Sequence, residues 1–165
     1  MSAPVSSRCP ALYVALVLAL VSVLAQPAGP AEAKGSLFRT DTTWLEGAEG
    51  FAQAFDEANP EGQAVLLYFY ADWCGYCRQL ESKLFEQPAV RNYTQTLVKI
   101  RINPEQGARE RELAERYGVR GYPAVFVHAP GSPRPRRVGR MIVEGGRRRL
   151  ATPAEYVEML SRAGG

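Results

Sequence analysis

The chain has 165 residues, of which 46% are hydrophobic and 22% charged, and its formal net charge is +3. That length and balance suit one globular domain of ordinary size and argue against a second. So small a charge, with no zinc-finger, helix-turn-helix or RNA-binding pattern beside it, sets nucleic acid aside as a partner.

Residues 1–10 carry one charged side chain, Arg8, and residues 11–25 run ALYVALVLALVSVLA with none. This stretch has the length of a secretory h-region and falls short of the roughly 20 residues a helix needs to span a bilayer. Residues 1–25 are read as a signal peptide, cut before Gln26 or, at a second site, before Lys34; left uncut, they would tether the protein. Both readings place the domain outside the cytoplasm, in the periplasm or another extracytoplasmic space. Residues 26–36, QPAGPAEAKGS, form a linker, and residues 37–165 form the folded domain. Cys9 lies ahead of the apolar run, so after cleavage only Cys74 and Cys77 remain, too few for a disulfide framework.

In the domain, Ala48, Phe51, Ala52, Phe55 and Ala58 recur at helical spacing, with Thr42 and Thr43 as caps and NPEG at 59–62 as a stop. Residues 64–71, AVLLYFYA, have the composition of a strand buried on both faces. Helix-favouring sequence covers 75–85, and LVKIRIN at 97–103 alternates as a second strand. ARERELAERYG at 108–118 predicts a charged helix stopped by Gly118. PAVFVHA at 123–129 is a third strand, joined by the turn-rich PGSPRP to a fourth over 138–144. Thr152, Pro153 and Glu155 mark a final helix with an N-cap, a first-turn proline and a capping-box acid. The order α β α β α β β α predicts an α/β fold, a central mixed sheet with helices on both faces.

The chemistry centres on YADWCGYC. A two-residue gap at the start of a helix puts Cys74 in the first turn and Cys77 one turn later on the same side, within bonding reach. Unpaired helix N–H groups and the macrodipole favour an anion at Cys74 over Cys77, which makes Cys74 the nucleophile and Cys77 the resolving thiol. A zinc or copper module is the rival reading, but only His128 is on hand as a further ligand, where zinc asks for four. His128 is read as an ordinary strand-end residue.

YADWCGYC followed by a helix, and GVRGYPAVFV some 45 residues later, resemble the thioredoxin superfamily across roughly residues 37–162. The resemblance implies a thioredoxin-like three-layer sandwich and thiol-disulfide oxidoreductase activity with no cofactor beyond the redox-active Cys74–Cys77 pair. It also implies a cis Tyr122–Pro123 bond and an extended substrate strand pairing with the backbone at Tyr122. The ADWC flank is similar to secreted thioredoxin-like proteins and to the terminal domain of periplasmic electron-transfer reductases, which favours reduction of protein or peptide disulfides by a monomer fed by a membrane electron-transfer partner. Cys-Gly-Tyr-Cys also occurs in periplasmic disulfide isomerases, so an oxidant or isomerase is the alternative; a non-catalytic binding or chaperone module with a passive disulfide is another.

The family's buried aspartate, six residues before the first cysteine, is replaced by Tyr68. Glu81, four residues after Cys77 and on the same helix face, is proposed as the general base for its proton, paired with Lys99, which matches the family's lysine. Trp73 and Tyr76 are read as an apolar substrate rim and Asp72 as a turn residue. The arginines from 134 to 149 are read as a solvated basic face, with an anionic lipid or acidic partner as the sharper option.

Overall fold

The computed structural model describes residues 44–56 and 62–165. The signal peptide, the linker, the capping threonines 42 and 43, Ala58 and residues 59–61 fall outside the described residues.

Among the described residues there are five α-helices and seven strands: β1 (Leu45–Glu46), α1 (Gly47–Asp56), β2 (Val65–Phe69), α2 (Gly75–Leu80), α3 (Pro88–Thr94), β3 (Val98–Ile102), α4 (Ala108–Arg116), β4 (Ala124–His128), β5 (Arg136–Val138), β6 (Met141–Glu144), β7 (Arg147–Leu150) and α5 (Pro153–Gly164). A π-helical turn, Glu81–Phe85, continues α2, with Glu86 N–H donating to the Glu81 carbonyl at 2.9 Å. Such a widened turn accommodates one extra residue and is frequent near functional sites.

The main sheet has the order β1-β3-β2-β4-β5. β2 lies at its centre, parallel to β3 and antiparallel to β4, with all five residues buried. That position explains its unbroken apolar sequence, because both of its faces are covered. Leu66 and Tyr68 point into one core with Leu80, Leu84, Val90, Tyr156 and Leu160 from α2, its π-helical continuation, α3 and α5. Val65, Leu67 and Phe69 point into the other, with Ala48, Ala54, Leu113 and Ala114 from α1 and α4. The result is the three-layer α/β sandwich that the order of elements predicts.

The expected fourth strand over 138–144 is corrected. Its first residue closes β5, which pairs antiparallel with β4; the chain then breaks at Gly139 and Arg140, and Met141 opens β6 in a separate two-stranded sheet with β7. Gly145 and Gly146 form the turn of this hairpin at φ 56° and 76°, values that the twist of a two-residue hairpin demands and that glycine adopts without steric cost. An Ala151 N–H bond to the Arg140 carbonyl at 2.9 Å extends the pairing.

The last helix starts as its sequence predicts. Thr152 Oγ1 accepts from the Glu155 N–H and the Glu155 carboxylate accepts from the Thr152 N–H, with Pro153 in the first turn. The same carboxylate takes both terminal nitrogens of Arg149 at 2.9 and 2.8 Å, which ties β7 to α5. These bonds hold the Glu155 pKa down at about 2.

Candidate active site

β2 ends at Phe69, a short turn follows, and α2 opens at Gly75 with Cys74 as its N-cap. The two cysteines are disulfide-bonded with their Cα atoms 5.2 Å apart. Cys74 Sγ accepts a hydrogen bond from the Cys77 N–H at 3.1 Å, a donor shared with the Cys74 carbonyl at 3.1 Å, so a first-turn N–H of the helix reaches this sulfur. Both cysteines are nearly inaccessible, at 3% and 1% exposure, while the aromatic residues between and before them stand out at 63% (Tyr76) and 66% (Trp73).

Trp73 is held in place. Its indole N–H donates to both carboxylate oxygens of Glu105 at 2.9 and 3.0 Å, and its ring meets Tyr122 edge-on at 6.2 Å. The Glu105 backbone N–H donates to Asn103 Oδ1, and Asn103 Nδ2 donates to Asp72. Asp72 is a turn residue, its carbonyl accepting from Arg78 at 3.0 Å. The Tyr122–Pro123 bond is cis and immediately precedes β4. Because Phe69 at the end of β2 faces Ala124 at the start of β4, the antiparallel register brings Pro123 to the end of the sheet from which the cysteine turn springs. His128 is aligned with Val65 at the opposite end. It bonds Tyr117 Oη at 2.6 Å and packs against Phe55, and burial lowers its pKa. Among the described residues no three metal-ligating side chains converge.

Tyr68, in the place of the expected aspartate, donates its hydroxyl to Glu81 Oε1 at 2.9 Å. Burial first, and the Glu81 hydrogen bond next, raise the phenol's pKa far above its ordinary value, so it remains a donor at any physiological pH. Tyr68, Glu81 and Lys99 line one cleft of about 270 Å³ with Trp44 as a wall, and the Lys99 ammonium lies 5.6 Å from the Trp44 ring centroid. Tyr68 also shares a core with both cysteines. Sequence reasoning missed the chain from Trp73 through Glu105 and Asn103 to Asp72, since it joins residues about thirty apart that only the β2–β3 pairing makes neighbours.

A buried disulfide at a helix mouth, rimmed by exposed aromatic rings, defines a thiol-disulfide oxidoreductase. The family described as a thioredoxin-like domain matches residues 51–144, more than half of the sequence, and the chain belongs to it. It is 40% identical over 78 residues to the thiol:disulfide interchange protein DsbD of Pseudomonas fluorescens, covering 47% of this chain and 13% of that protein. It is 34% identical over 79 residues to a Drosophila melanogaster protein disulfide-isomerase, covering 48% of this chain and 16% of the relative. The chain thus matches a small part of these longer proteins. A thioredoxin from Thermus thermophilus superposes with a TM-score of 0.52 at 27% identity, over 72% of this chain and 84% of that one. The oxidised C-terminal domain of Neisseria meningitidis DsbD shares the fold, with a TM-score of 0.50 at 22% identity over 73% and 99%. Among the described residues no helix is long and apolar enough to cross a membrane.

Proposed function

We propose that the protein is exported by its N-terminal segment and reduces disulfides of extracytoplasmic proteins. In the reduced form the Cys74 thiolate attacks one sulfur of a substrate disulfide, forming a mixed disulfide and expelling the other substrate sulfur as thiolate. Cys77, deprotonated in turn, attacks Cys74 Sγ, closes the Cys74–Cys77 bond and releases the second substrate thiol. Two electrons pass from protein to substrate, and the structure corresponds to the oxidised end of this cycle. A dithiol carried by a membrane partner would reopen the pair. The electrons reside in the sulfurs, so the reaction uses no dissociable cofactor.

The observation that carries this reading is the Cys77 N–H aimed at Cys74 Sγ, a donor that stabilises the sulfur as an anion both as nucleophile and as leaving group. Glu81 is the acceptor assigned to the Cys77 proton, with Tyr68 fixing its carboxylate and Lys99 in the same cleft. Trp73, Tyr76 and Tyr122 supply a rim for an extended substrate, and the backbone beside Pro123 its pairing edge. The reductive direction is favoured by the ADWC flank.

Insulin reduction by the wild type and by Cys74→Ser tests the activity, with turnover expected only in the wild type; equal background rates would leave a passive disulfide. Equilibration against a thiol redox buffer tests the direction. A potential near the roughly −270 mV of a reducing dithiol is expected, whereas one near about −120 mV would make the protein an oxidant.

A further inference from the structure

Next to Pro123 a cleft of about 280 Å³ opens between α2 and the β6–β7 hairpin. Its apolar wall includes Leu80, Val125 and Val138, and Arg140, Met141 and Arg148 are shared with a wider hollow of about 510 Å³ that reaches Tyr76 and Gln79. The two hollows are continuous through these shared residues, and no carboxylate lines either.

The cations along this path are distinguishable. Arg149 is neutralised by Glu144 and Glu155. Arg137 places its guanidinium over the Phe126 ring, on the other face of the sheet. Arg140 lies 4.7 Å from the Tyr76 ring centroid and bonds only neutral atoms, Gln79 Oε1 and Met141 Sδ. Arg148 is exposed and has no carboxylate partner among the described residues. Hairpin register sets Arg148 opposite Val143, and Met141 opposite Leu150, so an apolar strip with one cation faces the cleft. Val143 is 70% exposed and Tyr76 63%, an unusual outlay of large apolar surface beside two uncompensated guanidinium groups.

We infer that this cleft selects the substrate: it takes an extended polypeptide whose reactive cysteine is accompanied by an acidic side chain, which Arg140 and Arg148 bind. The inference rests on the oxidoreductase reading and names its substrate class. Guanidinium groups present paired donors that match a carboxylate, and Arg140 is oriented in advance by its stacking on Tyr76.

The test uses the reduced full chain and three synthetic peptides with one common intramolecular disulfide, flanked by two Glu, two Gln or two Lys. Each exchange rate is normalised to the same protein's rate on hydroxyethyl disulfide, which is neutral and too small to reach the hairpin. The Glu peptide is expected to outrun the Lys peptide by about tenfold at low salt, since each exposed pair adds little and two with steering reach about a decade. The ratio should shrink toward one at high salt and in R140Q/R148Q, shrink partly in R148Q alone, and persist in R147Q, whose side chain alternates to the other face. No acidic preference in the wild type, or a preference that survives R140Q/R148Q or is lost equally in R147Q, overturns the inference while leaving the activity standing. Failure of the wild type to reduce hydroxyethyl disulfide would instead remove the oxidoreductase reading and this inference with it.

Discussion

The two flanks of the disulfide are built on opposite terms. On the Trp73 side the polar side chains are bonded to one another in a chain: indole to Glu105, Glu105 to Asn103, Asn103 to Asp72. On the hairpin side Arg140 has only neutral partners and Arg148 has no acid, although Arg149, next to it, holds two. A saturated flank fixes geometry, and an unsaturated one keeps its charge available for something that arrives. Substitutions on the first should therefore slow exchange with every substrate, and those on the second should change which substrate is preferred.

Beneath both flanks the chemistry is common, and there the largest effect is expected. Cys77→Ala removes the resolving thiol, so turnover should fall by about a thousandfold or more and the mixed disulfide through Cys74 should accumulate, visible as a mass adduct. Turnover close to wild type would mean that an external thiol does the resolving. Next in size is Tyr68→Phe, which deletes the donor to Glu81 in a partly buried site. It should cost about 1 kcal/mol in urea unfolding of the oxidised protein, and it should move the pH profile of exchange, which a purely packing role for Tyr68 would leave in place.

Smaller still is Glu105→Gln, which keeps one acceptor for the Trp73 indole but loses the charge. Exchange should slow by about two- to fivefold, as expected for an exposed hydrogen bond worth several tenths of a kcal/mol. The slowing should be equal for acidic and basic peptides; a selective effect would erase the distinction between the flanks. The smallest effect concerns the attachment of the hairpin. The Glu155 pKa is depressed to about 2 by Arg149 and the Thr152 cap, so its contribution is complete above the ordinary carboxylate value of about 4.5 and is lost as pH falls toward 2. Hydrogen exchange at Arg147–Leu150 should rise over that interval in the wild type, and Glu155→Gln should show the faster exchange already at neutral pH.

What could be read in the chain alone follows from physical locality. The run at 64–71 contains β2 because a central strand buried on both faces writes itself as continuous hydrophobicity, and Thr152, Pro153 and Glu155 announce α5 through interactions within one turn. The same logic located Cys74 and Cys77. α3 was missed although Pro88 stands at its first turn, a signal overlooked because its seven residues are too few to display a period. β1 has two residues and no pattern to show. β7 reads RRRL, which no hydrophobic alternation betrays, yet Gly145 and Gly146 between two short segments were the available clue to its hairpin. Treating 138–144 as one strand overlooked the break at Gly139. The basic face was legible as charge, but which of its arginines are compensated depends on strand register and on a helix cap further along, neither of which composition reveals.

The β6–β7 hairpin pairs with no strand of the main sheet; Arg149 binds it to Glu155 of α5, and Ile142 and Leu150 pack against the core. The hairpin's exposed tip, residues 143–148, is consequently open to exchange by a designer who wants to redirect the enzyme to other clients, while Ile142 and Leu150 stay to keep the core intact. Retaining Gly139, Arg149 and the Thr152–Glu155 anchor would preserve the graft site, leaving positions 143 and 148 as dials for polarity.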